Sequence, residues 1–159
     1  MCKTQLQIRD MTPSERDWLF EALEKHFTDE ELGLGTDDLP YFLSSEYREI
    51  IERLMNREQD PLRAVRFMAG EKTVGFATYC NYLSEDGKTF ILEYNIAREY
   101  RRCGFGRRFY ELIEQREKQR GAKYAELTSD NAGGFWQKLG FAAAGVNQDG
   151  QTLFAKRFD

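Results

Sequence analysis

The sequence lacks the features that would assign it at once to a secreted, membrane-spanning or metal-binding class. Its three cysteines, Cys2, Cys80 and Cys103, are scattered and odd in number. They outline neither a disulfide framework nor a metal-ligand spacing, and no metal is expected. No uninterrupted run of 18 apolar residues occurs, so no segment reads as a membrane span. The opening Met1-Cys2-Lys3-Thr4 lacks the apolar stretch of a secretory leader. The expected compartment is the cytoplasm. Histidine occurs once, at His26, on an apparent helix face where a structural role is expected. Repeats, low-complexity tracts and linkers are missing as well.

An excess of positive charge is also lacking. The net charge is −4, which argues against a nucleic-acid binder. The charge is unevenly spread. The first 60 residues hold 15 Asp/Glu against 7 Lys/Arg, and the remainder holds 12 against 16. A bound anion is therefore expected in the later part of the chain. The acidic segment around Asp29, Glu30, Glu31, Asp37 and Asp38 would either attract a cationic acceptor or form a solvated helix face.

What remains is a chain of 159 residues, 14% of them aromatic, which suits a single domain over residues 1–159. A domain of that size buries about 68–70% of the surface its unfolded chain exposes, enough for a core without covalent staples. A short strand is expected at Leu6–Arg9. Thr12-Pro13-Ser14-Glu15 carries a helix start, with Thr12 as cap and Glu15 three residues on. Leu19, Ala22, Leu23 and His26 then repeat at helical spacing. A second helix is expected from Tyr41 to Arg57. The period then changes to that of strands at 63–69, 73–82 and Phe90–Ile96, with turns at Gly70-Glu71-Lys72 and Ser84–Gly87. Phe105, Phe109, Leu112 and Ile113 mark an amphipathic helix ended by Gly121. A strand at Tyr124–Leu127, a short helix at 132–139 and a hairpin around Asp149-Gly150 complete the chain. Edge pairing by that hairpin would make a dimer; otherwise the chain is a monomer.

The most informative stretch is Arg101-Arg102-Cys103-Gly104-Phe105-Gly106-Arg107, placed after a strand and opening a helix. The first amides of a helix have no internal partners, and the helix dipole adds to their attraction for an anion. Glycines let those amides approach closely, and guanidinium groups suit phosphate oxygens. The third glycine of a dinucleotide loop and the Lys-Ser/Thr of a nucleoside-triphosphate loop are both missing.

Arg101-Arg102-Cys103-Gly104-Phe105-Gly106 resembles the Gln/Arg-x-x-Gly-x-Gly/Ala signature of the GNAT family of N-acetyltransferases. Phe135-Trp136-Gln137-Lys138-Leu139-Gly140-Phe141 resembles that family's Phe-Tyr-x-Lys-x-Gly-Phe segment. The resemblance implies an α/β (α+β) domain with a central mixed, mostly antiparallel sheet flanked by helices. Two parallel strands, Phe90–Ile96 and Tyr124–Leu127, would splay apart. It implies acetyl-CoA as cosubstrate, an acetyl group passed to a primary amine of a small molecule or peptide, and direct attack in a ternary complex. The backbone of Asn95, Ile96 and Ala97 would line the pantetheine arm, with the Ile96 amide polarising the thioester carbonyl. Amides from Arg102 to Arg107 would hold the pyrophosphate. Phe135 and Trp136 would form wall and core, and Asn131, or alternatively Ser129, would touch pantetheine.

Two positions depart from or leave open the family pattern. Trp136 stands where a tyrosine acid is usual, and an indole cannot protonate a thiolate. The general base is Glu93 or Glu126, each on a splayed strand. Tyr79, Tyr82 and Tyr94 are further proton-donor candidates. A non-catalytic acyl-CoA-binding sensor is the alternative reading, and the missing tyrosine is its support.

Overall fold

A computed structural model describes residues 5–30, 33–129 and 132–159. Seven strands form one sheet: β1 Leu6–Asp10, β2 Leu62–Ala69, β3 Lys72–Tyr82, β4 Lys88–Ile96, β5 Tyr124–Ser129, β6 Ala142–Val146 and β7 Thr152–Arg157. Their spatial order is β1-β2-β3-β4-β5-β7-β6. All neighbours run antiparallel except β4 and β5, which are parallel. The helices are α1 Arg16–Phe27, α2 Leu39–Phe42, α3 Ser45–Met55, α4 Phe105–Gln119 and α5 Gly133–Lys138.

Helices cover both faces, so the central strands have no solvated side. The inner run of β3 from Val74 to Asn81 is buried throughout, as a doubly covered strand should be. On one face Val65, Phe67 and Tyr79 meet Phe109 and Ile113 of α4 and Trp136 of α5. Phe67 and Phe109 stack with ring centroids 4.7 Å apart. On the other face Phe76 and Cys80 meet Leu19, Leu23 and Phe27 of α1 and Ile51 of α3.

The helix expected over 41–57 is two helices. The Ser44 side chain accepts from the Tyr47 amide at 3.2 Å and starts α3 afresh, because a serine oxygen satisfies an orphan donor at a new helix end. The Thr12 and Glu15 signal opens a single 3₁₀ turn, Pro13–Glu15, before α1 begins, and the Thr12 amide donates to Glu15 Oε1 at 3.1 Å.

A polar group lies deep under α4. Glu117 is fully buried and accepts from Tyr79 Oη at 2.8 Å, from Asn81, and from Arg116 Nε at 3.1 Å. Arg120 adds a contact at 3.2 Å, and Thr89 donates to Asn81 at 2.8 Å. Burial, then the Glu117 charge, raises the Tyr79 pKa, so this candidate proton donor is locked into the core. Tyr82 sits at the far end of β3 beside Arg57 and Lys88.

Candidate active site

The parallel pair β4–β5 opens into a cleft. Pairing holds at Lys88 with Tyr124, Thr89 with Ala125 and Phe90 with Glu126, and extends no further. From Ile91 onward β4 therefore has a free edge toward β5. Ala97 N–H donates to Val74 O on β3 at 2.8 Å, and peptide directions alternate along a strand. The Ile96 peptide accordingly faces the cleft, and Arg101 Nε reaches its carbonyl at 2.9 Å. Within Asn95–Ala97, only Ile96 presents its amide to the opening. The Ala97 amide is taken up by β3, while Ala97 itself lines the adjoining cleft.

A β-bulge re-aims β4 just before this edge. Thr78 pairs with Glu93 and Tyr79 with Ile91, leaving Leu92 as the extra residue. Leu92 and Glu93 thus both turn to the α1 face, whereas strict alternation would send Glu93 toward α4. There the Glu93 carboxylate meets His26 Nε2 at 2.9 Å, and Asn95 Nδ2 meets His26 Nδ1 at 3.1 Å. An amide nitrogen only donates, so Nδ1 accepts, and Nε2 carries the hydrogen given to Glu93. The structural role expected of His26 understates its place beside this carboxylate.

Two buried hydroxyls lie near Glu93. Tyr47 Oη and Thr78 Oγ1 belong to residues only 7% and 1% exposed. Burial first, and the Glu93 charge second, hold the Tyr47 phenol far above its ordinary pKa. Glu126 is placed differently. It lies at the last paired position and turns back to Lys88 Nζ at 3.6 Å, away from the cleft.

At the end of β4 the chain turns through Arg98–Tyr100 into the glycine loop. Arg102 adopts φ +62° and Gly104 φ +81°, both left-handed. Such a conformation costs a residue with a side chain about 1–2 kcal/mol, so Arg102 is held there by its surroundings. The amides of Arg102 through Arg107 find no backbone or side-chain acceptor among the described residues. A Cβ on Gly106 would come to 3.0 Å from the Phe135 ring, so a larger residue would make that ring shift. The Tyr94 hydroxyl donates to Gly106 O and ties the loop to β4. Burial raises its pKa well above the usual phenol value, and the group stays protonated as a tether.

The arginines divide their work. Arg102 and Arg108 are exposed, as is Cys103 in the loop, and Arg107 pairs with Glu111 at 3.1 Å. The Arg101 guanidinium is held by protein groups. It is bound to Asp29 at 3.0 Å as well as to Ile96 O. Arg98 likewise lies 3.9 Å from Glu30. Part of the acidic segment thus anchors the base of the glycine loop. Trp136 is 5% exposed and boxed by Tyr94, Tyr110, Phe135 and Phe141, with ring centroids 4.9–5.7 Å away. Ser129 Oγ accepts from the Ala132 amide at 3.1 Å, a capping contact before α5. Asn131 lies outside the described residues. A cleft of about 350 Å³ adjoins the site between α1 and the β3–β4 ends, lined by Trp18, His26, Asp29, Gly75, Asn95 and Arg101.

The family model of the acetyltransferase (GNAT) family matches residues 16–141. The chain belongs to this acetyltransferase family. The GNAT fold is seen again in solved structures. PaiA N-acetyltransferase from Thermoplasma acidophilum, in complex with coenzyme A, is 16% identical with a TM-score of 0.74, covering 97% of this chain and 99% of its own. An aminoglycoside 6'-N-acetyltransferase complexed with coenzyme A is 17% identical with a TM-score of 0.69, covering 95% and 96%. The ribosomal-protein-S18-alanine N-acetyltransferase from Escherichia coli is 16% identical with a TM-score of 0.67, covering 96% and 94%. No curated protein matches the sequence of this GNAT chain. Among the described residues no helix is long and apolar enough to cross a membrane, and no cluster of three or more His, Cys, Asp and Glu forms.

Proposed function

We propose that this GNAT domain transfers an acetyl group from acetyl-CoA to a primary amine of a small molecule or peptide, with Glu93 as the general base. The observation that carries the reading is the cleft itself. Partnerless loop amides lie at one end, the Ile96 amide lies on its edge, and a bulge turns Glu93 to the opposite face. Three fold relatives are named as N-acetyltransferases, two of them in complex with coenzyme A, which supports both the donor and a nitrogen acceptor.

The residues present fit coenzyme A. The Arg102–Arg107 amides and the start of α4 suit a pyrophosphate, with Arg102 and Arg108 free of protein ion pairs among the described residues. Phe135, packed on Gly106, forms the wall of the arm's channel, and Trp136 backs it from the core. When bound, acetyl-CoA supplies an activated acetyl thioester. The Ile96 N–H polarises its carbonyl, and Glu93 takes the proton that the ammonium must lose before attack. A thiol of pKa about 8.5 leaves tolerably without an acid, so alignment carries most of the rate. The acceptor enters by the cleft beside His26 and Asn95.

The buried indole at Trp136 favours one second reading, an acyl-CoA sensor without turnover. Thiol release on a panel of primary amines separates the two. Release with some amine, and a Glu93→Gln variant whose rise in rate with pH is lost, supports the transferase. Acetyl-CoA binding without release on any amine supports the sensor.

A further inference from the structure

We propose that His26 is a positioning residue that presets Glu93, fixing one carboxylate oxygen and leaving the other to receive the proton of the acceptor amine. This inference rests on the reading of Glu93 as the base. The geometry is a directed chain. Asn95 Nδ2–H points at His26 Nδ1 at 3.1 Å, and His26 Nε2–H points at Glu93 Oε2 at 2.9 Å. Glu93 and Asn95 share the α1 face of β4 because of the bulge that precedes them, and His26 reaches both from α1. The imidazole is further clamped by Phe76, edge-on at 6.2 Å, and by Phe27 at 5.6 Å.

The consequence is chemical. With Asn95 donating, the ring is the neutral Nε2–H form, a pure donor toward Glu93. That bond holds the carboxylate in one rotamer before the amine arrives. The step then balances simply. An ammonium N–H bond breaks, the electron pair stays on nitrogen, and the proton forms an O–H bond on the second Glu93 oxygen. His26 neither gains nor loses a proton. Thr78 lies directly opposite Glu93 in the β3–β4 register, on the same side of the sheet.

Because His26 is the single histidine of the chain, a long-range ¹H–¹⁵N spectrum of the imidazole region contains one ring. The free wild-type protein near neutral pH should show a neutral ring protonated at Nε2. An Asn95→Asp variant should convert it to the doubly protonated form. Kinetically, His26→Phe should lower kcat about 10–100-fold, the range for loss of a residue that orients a functional group, with acetyl-CoA affinity unchanged. His26→Gln, whose amide can replace the Nε2–H donor, should recover most of the loss. An Nδ1-protonated or rotating ring in wild type overturns the inference even if the Phe variant does not fold. So does a His26→Phe enzyme with wild-type kcat when Glu93→Gln is slow, a result that leaves the Glu93 reading intact. Wild-type kcat in Glu93→Gln overturns the reading of Glu93 and the inference with it.

Discussion

The two sides of the β4 edge are built from the sequence in opposite ways. The anion side occupies one continuous stretch, from Ile96 through the loop to Arg107. The side proposed for the acceptor is gathered from His26 on α1, Tyr47 on α3, Thr78 on β3 and Glu93 with Asn95 on β4. His26 is 67 residues from Glu93 and 69 from Asn95. A phosphate grip relies on backbone amides, which a short run of residues delivers whatever the remainder of the chain contains. Orienting a carboxylate requires side chains from several elements, and only the folded sheet brings them together. The two sides should therefore fail separately, and each prediction below probes that separation.

The largest effect is expected at Glu93. Glu93→Gln should cut turnover about 10²–10⁴-fold, the usual worth of a positioned base, while Glu126→Gln stays near wild type. Initial rates with saturating acetyl-CoA check both. A large loss in Glu126→Gln would place the base at the closed end of the strand pair and break the comparison. Next is Glu117, which serves neither side. Glu117→Ala removes the shared partner of Tyr79, Asn81, Arg116 and Arg120 and should cost about 3–5 kcal/mol in urea unfolding. Gly106→Val should disturb the anion side alone, since its side chain must displace the Phe135 ring. Overpacking of this kind costs about 1–3 kcal/mol. The measured outcome should be a raised acetyl-CoA KM with the acceptor KM unchanged.

The uneven reach of sequence reasoning follows from the same contrast. The loop, the amphipathic α4 and the succession of strands were all legible, because each depends on neighbours within a turn or a hairpin. The bulge at Leu92 was not, since it is defined only by the register of β3 against β4. Without it the direction of Glu93 cannot be inferred, so Glu93 and Glu126 remained equal candidates. His26 was legible only as a helix-face residue, because its spacing with Leu19, Ala22 and Leu23 resembles that of a core position. Arg101 shows a contact the motif did not signal. Its place in the glycine motif suggested phosphate, and a largely covered carboxylate, Asp29, also comes to it from the turn after α1. The break at Ser44 had a local signal in Ser44-Ser45, hidden by the apolar pattern that continues across it.

The smallest effect is expected at the entry to α1. The Thr12 amide bond, assisted by the charges of Arg9 and Arg66, holds Glu15 below the ordinary carboxyl range against a partial opposing effect of burial. A lowered folded pKa contributes stability above the ordinary glutamate value. That contribution is lost as pH falls through about 4.3 and on toward the lowered value. Melting temperature against pH should therefore drop more steeply in wild type than in Glu15→Gln below that point. Catalysis at neutral pH should be unaltered, since Glu15 touches neither side of the cleft.

The most direct test is one set of calorimetric titrations with acetyl-CoA, using wild type, Gly104→Glu and Glu93→Gln. Gly104→Glu sets a carboxylate among the partnerless amides and forces a side chain onto a backbone at φ +81°. One-site binding by wild type and Glu93→Gln, lost in Gly104→Glu, is the expected result. Absence of binding by wild type, or equal loss in Glu93→Gln, would contradict the account that a contiguous anion loop and a separately assembled base share one cleft.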